Sequence, residues 1–212
     1  MVRQALGRPN ISEEDSMSVT PDAVSKAATR LFRTVGYEAT TTRNIAKALG
    51  VQGGSIYYHI KSKESLLFDI LDAGIDDITA KVMASYEHLT DPEERLRAAI
   101  HSQIRETFSD FDSSAVLIAL MSPESLTPEH RQIYIAKRDR YERIFRDLID
   151  EGISAGALQV QDAKLAGFLL LGALNGMTRW YRGEGQYSLD EIATWFADML
   201  LDGLRKPATA TA

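Results

Sequence analysis

The sequence predicts an all-α protein of about nine helices, with a three-helix N-terminal domain in front of a larger helical body. Apolar residues recur every three to four positions through most of the chain, which is the spacing of one helix face, and no stretch alternates as a strand does. Most of these segments open with Thr, Ser or Asp followed by Pro or an acidic residue, a pattern that is typical of the first residues of a helix. One short stretch also has helix-turn-helix spacing.

The first helix opens at Thr20-Pro21-Asp22, where Thr20 is the cap, Pro21 takes the first helical position and Asp22 lies in the first turn. Apolar residues then recur at helical spacing, and Gly36 ends the helix. This helix is expected to brace the two that follow.

The stretch Thr41 to Leu67 contains the helix-turn-helix pattern. A compact helix runs to Leu49, and Gly50 then supplies a position that tolerates positive φ, as a tight turn requires. A second, shorter helix follows, in which Ile56 and Ile60 lie one turn apart and can pack back on the first. In this motif the second helix enters the major groove of DNA.

Polar residues of this stretch are placed where DNA contacts are needed. Gln52 and the residues after it lie at the end of the second helix that meets base edges, and Arg43 is long enough to reach a guanine. Aromatic, histidine and lysine side chains beyond them can donate to phosphate oxygens. The candidate DNA contacts are Thr41, Thr42, Arg43, Gln52, Gly53, Gly54, Ser55, Tyr57, Tyr58, His59 and Lys63. The alternative is that Tyr57 and Tyr58 are ordinary packing aromatics.

The stretch resembles the DNA-binding domain of the TetR family of bacterial transcriptional regulators, closely over about residues 20 to 70. A tight turn, an aromatic-aromatic-His run and a Lys four residues after that His carry the resemblance. The matching residues are Thr41, Thr42, Ile45, Ala46, Gly50, Val51, Gly54, Ser55, Ile56, Tyr57, Tyr58, His59, Lys63, Glu64, Leu66 and Leu67.

The remaining helices are expected at about 62–86, 91–111, 114–121, 127–152, 162–181 and 188–204. The first of them is a long apolar-striped helix joining the two parts of the molecule. We therefore expect a flexible tail over 1–18, a DNA-binding domain over 19–66, a ligand-binding and dimerisation domain over 67–206, and a disordered tail over 207–212. Arg3 and Arg8 in the first tail could alternatively form an arm that touches DNA.

Composition excludes several classes of protein. The chain has no cysteine, so disulfides, thiol nucleophiles and zinc-thiolate sites are excluded. The four histidines have no metal-ligand spacing and no phosphate-binding loop is visible, so we expect neither an enzyme, a cofactor nor a metal site. No signal peptide or membrane-spanning run is seen, and a cytoplasmic protein is expected.

The charge is divided along the chain. Residues 1–63 contain nine basic and five acidic side chains, a net charge of +4, whereas the remainder carries −10, for a total of −6. We call the basic N-terminal part the head and the acidic remainder the body. This division of charge directs the head towards phosphate.

The helix expected from Asp162 to Tyr181 is too apolar to have only one buried face. The TetR resemblance implies that the last two helices pair with their copies in a four-helix homodimer interface. The expected interface residues are Leu169, Ala173, Gly176, Trp195, Phe196 and Met199. The alternative is a helix buried within its own chain.

The resemblance also implies a small-molecule pocket in the body. Polar residues on apolar helices and nearby aromatics are the candidates. They are His101, Phe108, Phe111, Tyr134, Tyr141, Phe145, Asn175, Arg179 and Trp180. His101 could instead be a structural histidine.

The segment Trp180 to Gly183 resembles one in TetR relatives that regulate fatty-acid, acyl-CoA or steroid breakdown. Basic residues from Lys137 to Arg146 could meet CoA phosphates, although they alternate with acidic residues as on a solvated helix face.

The sequence thus predicts a ligand-responsive homodimeric regulator, a repressor released from a palindromic DNA operator by a small apolar or acyl-CoA-like effector. The alternative is an architectural DNA-binding protein of the same fold without an inducer.

Overall fold

The computed structural model describes residues 19–109 and 123–205, and within these ranges the protein is built from helices and turns. The two tails expected from the sequence, the alternative arm at Arg3 and Arg8, Phe111 and the short helix expected at 114–121 lie outside the described residues. The α-helices are α1 (Pro21–Thr34), α2 (Thr42–Ala48), α3 (Lys63–Tyr86), α4 (Pro92–Phe108), α5 (Pro128–Ser154), α6 (Ala163–Gly176) and α7 (Leu189–Leu204). Segments of 3-10 helix cover Ser55–Tyr58, Pro123–Ser125 and Met177–Arg179.

The helix starts follow the capping residues in the sequence. The side chain of Thr20 accepts a hydrogen bond at the start of α1, and Ser62, Asp91, Thr127, Asp162 and Ser188 do the same for α3 to α7. Each of these side chains satisfies a backbone N–H that the helix itself leaves unpaired. Local chemistry therefore decides where these helices begin.

The turn after α2 depends on Gly50, whose φ is +71°. The Val51 N–H donates to the Ala46 carbonyl at 3.0 Å and the Gly50 N–H donates to the Lys47 carbonyl at 3.1 Å. This pair of bonds is the Schellman arrangement, in which a left-handed residue ends a helix. The turn directs the chain back so that Ile56 and Ile60 are buried in the head.

Two helix predictions need correction. The second helix of the DNA-binding motif is a four-residue 3-10 segment, Ser55–Tyr58, rather than an α-helix. Gly54 precedes it without a side-chain cap, and the glycines before it and the tyrosines within it favour helix weakly. The apolar helix expected to reach Tyr181 ends as an α-helix at Gly176 and continues as 3-10. The described residues hold seven α-helices, against about nine expected for the whole chain, one of which lies at 114–121 outside the described residues.

The long helix α3 connects the two parts. The helices α1 and α2 pack on each other and α1 packs on α3, while α3 also packs against α4 and α5 in the body. A second layer forms where α6 packs on α5 and α7 packs on α4. Within the described residues, no helix is long and apolar enough to cross a membrane.

Candidate functional site

The 3-10 segment presents its polar side chains to solvent because its apolar ones are anchored. Ile56 is 1% exposed and Ile60 is 7% exposed, so both pack into the head. Tyr57 and Tyr58 point away and are 61% and 91% exposed, and His59 is exposed as well. This exposure excludes the alternative that the two tyrosines are core packing aromatics.

The start of α2 lies beside the 3-10 segment. The hydroxyls of Thr42 and Tyr57 are 3.1 Å apart and hydrogen-bonded. A methyl group at Gly53 would lie 3.7 Å from Cγ of Arg43, so the Arg43 side chain passes close to this glycine. Two separate elements therefore contribute to a single surface.

Thr41 is occupied in capping α2. Its hydroxyl accepts from the Asn44 N–H at 3.2 Å, and its own N–H donates to Asn44 Oδ1 at 2.9 Å. Asn44 was missed by the sequence analysis, although a polar residue three positions after a threonine is the signal of a capping box. The cap fixes the backbone from which Thr42 and Arg43 project.

Gln52 and Gly54 are exposed in the turn before the segment, and Ser55 opens it. A Cβ added at Gly54 would meet nothing within 4 Å, so the backbone here is open to an approaching molecule. Gln52 and Gly54, together with Thr42, Arg43 and Tyr57, form a surface that the described chain leaves accessible.

Lys63 has an intramolecular role that the sequence did not reveal. Its Nζ donates to the carbonyls of Tyr37 at 2.8 Å and Glu38 at 3.4 Å, and lies 4.2 Å from the centre of the Tyr37 ring. The acceptors are backbone atoms more than twenty residues away in sequence. Since an ammonium has three N–H donors, one remains for a phosphate oxygen.

Four candidate pocket residues are buried in the body: Phe108, Tyr134, Tyr141 and Phe145. Burial raises the pKa of Tyr141 well above its usual value of 10, so the phenol remains a neutral donor. Tyr141 donates to Oε1 of Gln103, whose Nε2 donates to the Thr107 hydroxyl at 3.3 Å. Gln103 and Thr107 are nearly inaccessible polar residues that the sequence analysis missed.

The other described pocket candidates lie nearer the surface. His101 and Asn175 are half-buried, whereas Arg179 and Trp180 are exposed. The Trp180 ring stacks beside Phe196, with 6.2 Å between ring centres. The structure therefore divides the predicted pocket residues between four buried aromatic residues and four positions nearer the surface.

The segment Trp180 to Gly183 contains a helix-end contact. Arg182 donates to the carbonyls of Thr178, Arg179 and Tyr181, at 3.3, 2.9 and 2.8 Å. These carbonyls are left unpaired where the helical segment ends, so the arginine has a structural role.

Basic residues of α5 also have internal partners. Lys137 bridges Asp72 and Asp76 of α3, and Arg138 lies 3.7 Å from Asp139. Arg140 and Arg143 are exposed. The prediction that basic residues of this helix meet CoA phosphates therefore depends on its exposed arginines.

The helices α6 and α7 leave a large apolar surface uncovered in the single chain. Leu165 is 64% exposed, Leu169 is 70% exposed and Met199 is 76% exposed. Between the two helices runs a groove of about 490 Å³, which these three side chains help to line. The alternative of a helix buried in its own chain does not fit this exposure.

Comparisons with known proteins place the two parts of the chain in one family. Residues 25–70 match the model of bacterial regulatory proteins of the tetR family. Residues 89–204 match the model of the tetracyclin repressor-like C-terminal domain.

Relatives and solved structures agree with these matches. The HTH-type transcriptional repressor KstR2 of Rhodococcus jostii strain RHA1 is 29% identical over 184 residues, covering 85% of this chain and 88% of that protein. The TetR family regulator PfmR from Thermus thermophilus is 32% identical with a TM-score of 0.77, covering 86% of this chain and 99% of that one. AibR, solved with isovaleryl coenzyme A and operator DNA, is 28% identical with a TM-score of 0.80, covering 85% and 97%. The match to the C-terminal domain alone spans more than half of this chain. The chain therefore belongs to the TetR family of transcriptional regulators.

Proposed function

We propose that the protein is a homodimeric repressor that binds a palindromic DNA operator in the cytoplasm and is released by a small apolar or acyl-CoA-like effector. The observation that carries the DNA part is the exposed surface formed by Arg43, Gln52, Gly54, Tyr57 and Tyr58 on a helix-turn-helix frame. Its polar groups can read base edges and phosphates.

The uncovered surface of α6 and α7 supports the dimer. Exposed apolar patches of this kind mark association sites, because burying them removes apolar surface from water. Twofold association through this surface would present two equivalent recognition surfaces, which suits a site with two inverted half-sites about one helical turn apart.

The DNA proposal can be tested by selecting bound duplexes from a random-sequence pool. We expect an inverted repeat to emerge. On that repeat, Arg43→Ala and Gln52→Ala should each lose about 1–3 kcal/mol of discrimination at one base position. Lys81→Ala is the matched control, because it removes a positive charge from the body end of α3. Uniform weakening on all sequences by the first two variants would contradict their role in base readout.

The effector part rests on chemistry and on one relative. The AibR structure contains isovaleryl coenzyme A together with operator DNA. In this chain, the buried Tyr141 ring contacts the Phe145 ring and its hydroxyl donates to Gln103, so apolar rings lie beside a few polar groups, which is the composition of a small-ligand site.

A thermal-shift panel of CoA thioesters, free CoA and free acids tests this proposal. A ligand at about a hundredfold its Kd adds roughly 2.7 kcal/mol, which raises the Tm of a domain of this size by roughly 5–11 °C. We expect a thioester to raise the Tm, and to weaken binding to the selected duplex. If no compound does either, the acyl-CoA effector is wrong and the architectural alternative gains support.

A further inference from the structure

A regular stripe of side chains joins the connecting helix α3 to the body helix α5. On α3 its members are spaced by four residues, so they lie along one side of the helix. They are Glu64, Phe68, Asp72 and Asp76. On α5 and its cap, the partners are Thr127, His130 and Lys137. We call these seven residues the α3–α5 polar stripe.

The end of the stripe nearest the head is organised by one carboxylate. Oε1 of Glu64 accepts from the Thr127 N–H at 2.9 Å and contacts Nδ1 of His130 at 2.8 Å. The His130 ring stacks on Phe68, with 4.0 Å between ring centres and 7° between the planes. The first turn of α3 is therefore held against the first turn of α5 by both polar and stacking contacts.

The other end depends on Lys137. Its Nζ lies 2.6 Å from a carboxylate oxygen of Asp72 and 2.6 Å from one of Asp76. The lysine side chain is only 18% exposed, so most of it is covered by neighbouring residues. These contacts lie about two to three turns further along α3 than Glu64, and the two helices run side by side in the same direction.

The position of α3 determines the position of the head. The first helix packs on α3, and Lys63 at the start of α3 donates to the carbonyls of Tyr37 and Glu38. The head also reaches the body side through Ser125, whose hydroxyl donates to Glu38 Oε1 at 3.1 Å. A displacement of α3 relative to α5 would therefore move the head as well.

We propose that the α3–α5 polar stripe holds the head in one orientation relative to the body. Polar contacts of this kind need specific donor–acceptor distances, so a small shift of α5 along α3 breaks them. Because each polar contact pairs one position on α3 with one position on α5 or its cap, the stripe sets the register between the two helices.

The orientation can be measured by pulsed electron spin resonance between two spin labels. The chain has no cysteine, so Lys47→Cys in α2 and Asp150→Cys in α5 create the only two attachment points. Both positions are exposed. Labelled chains are diluted with an excess of unlabelled protein, so that only distances within one chain contribute.

The test variant combines His130→Ala with Lys137→Met, which removes the stacking contact and the bridging charge. Lys81→Met is the matched control, because Lys81 bridges Asp77 and Glu106 between α3 and α4. We expect one narrow distribution of the distance between the two labels in the labelled parent protein and in its Lys81→Met variant. The double variant should show a broadened distribution or a second distance.

Identical distributions for the parent and the double variant would overturn the proposal, whether they are narrow or broad. If the double variant has lost helical circular dichroism, Lys137→Met alone replaces it, with the same two outcomes. The measurement needs neither DNA nor effector. Its failure therefore leaves the DNA-binding proposal intact, and failure of that proposal leaves this one intact.

Discussion

At the scale of single residues, two glycines of the DNA-binding motif have different reasons to be glycine. Gly50 has a φ of +71°, a conformation that costs other L residues about 1–2 kcal/mol. Gly54 has an ordinary helical φ of −71°, and a Cβ there would meet nothing within the chain. The turn requires the first glycine, whereas the second leaves the surface open for the proposed DNA contact.

Substitution by alanine should separate these roles. Gly50→Ala is expected to lower the free energy of unfolding by about 1 kcal/mol. Gly54→Ala should leave it unchanged or raise it by up to about 1 kcal/mol, while weakening DNA binding. Urea unfolding and anisotropy on the selected duplex measure the two effects. Equal destabilisation by both variants would contradict the assignment.

His101 gives the stability a predictable dependence on pH. Burial, with a further effect of Arg97, lowers the pKa of His101 below its ordinary value of 6.5, although Asp190 and Asp198 partly oppose this. Below pH 6.5 the unfolded chain therefore binds more protons than the folded one, so stability is lost as the pH falls through the folded pKa.

The variant His101→Asn should show a flatter dependence of the unfolding free energy on pH between about 8 and about 5. Urea titrations of both proteins at several pH values measure it. Glu64 and Glu93 do not interfere in this window, because their pKa values are lowered from 4.5 and they lose their contribution only in stronger acid. Parallel curves for the two proteins would exclude His101 as the source.

At the scale of elements, α7 shows how completely a cap can define a helix start. The Ser188 hydroxyl accepts from the Glu191 N–H at 3.2 Å, and Glu191 Oε2 accepts from the Ser188 N–H at 2.8 Å. The Ser188 hydroxyl, which donates to Glu191 Oε2 at 2.7 Å, and the Ser188 N–H lower the pKa of the Glu191 carboxyl by hydrogen bonding to it. The same four-residue pattern is readable directly from the sequence, which is why this boundary was predicted correctly.

Ser188→Ala should cost about 1 kcal/mol of stability, because two N–H groups at the start of α7 lose their organised partners. Thr194→Ala is the control, since that hydroxyl only bonds back to the Asp190 carbonyl at 2.9 Å within the exposed helix. Its removal should change stability by less than about 0.5 kcal/mol. Comparable losses from the two variants, measured by urea unfolding, would argue against the capping role.

At the scale of the whole molecule, the family assignment and the charge distribution agree. TetR family members are DNA-binding regulators rather than enzymes, as the sequence predicted for this chain. The net positive charge lies in residues 1–63, which include the head and its exposed surface, and the acidic excess lies in the body. Repulsion of the body by phosphate therefore favours approach of the head to DNA.

The proposed dimer gives a prediction at this scale. Leu169→Glu should convert a dimer into a monomer, because a charge would be buried at the centre of the shared apolar surface. The monomer itself should tolerate the change, since Leu169 is 70% exposed. Met83→Glu, at an exposed position of α3, is the control. Sedimentation velocity should show a smaller species for the first variant alone, and an unchanged dimer would exclude this surface.

The sequence by itself determined the helical class, most helix starts, the turn at Gly50 and the family, because these depend on neighbours within a few residues. It did not reveal that Lys63 binds the carbonyls of Tyr37 and Glu38, nor that His130 and Lys137 meet α3. Such contacts join residues distant along the chain, so only the packing of helices decides them. Tertiary structure also decided which apolar side chains stay exposed, since periodicity shows that a face is apolar but not what covers it.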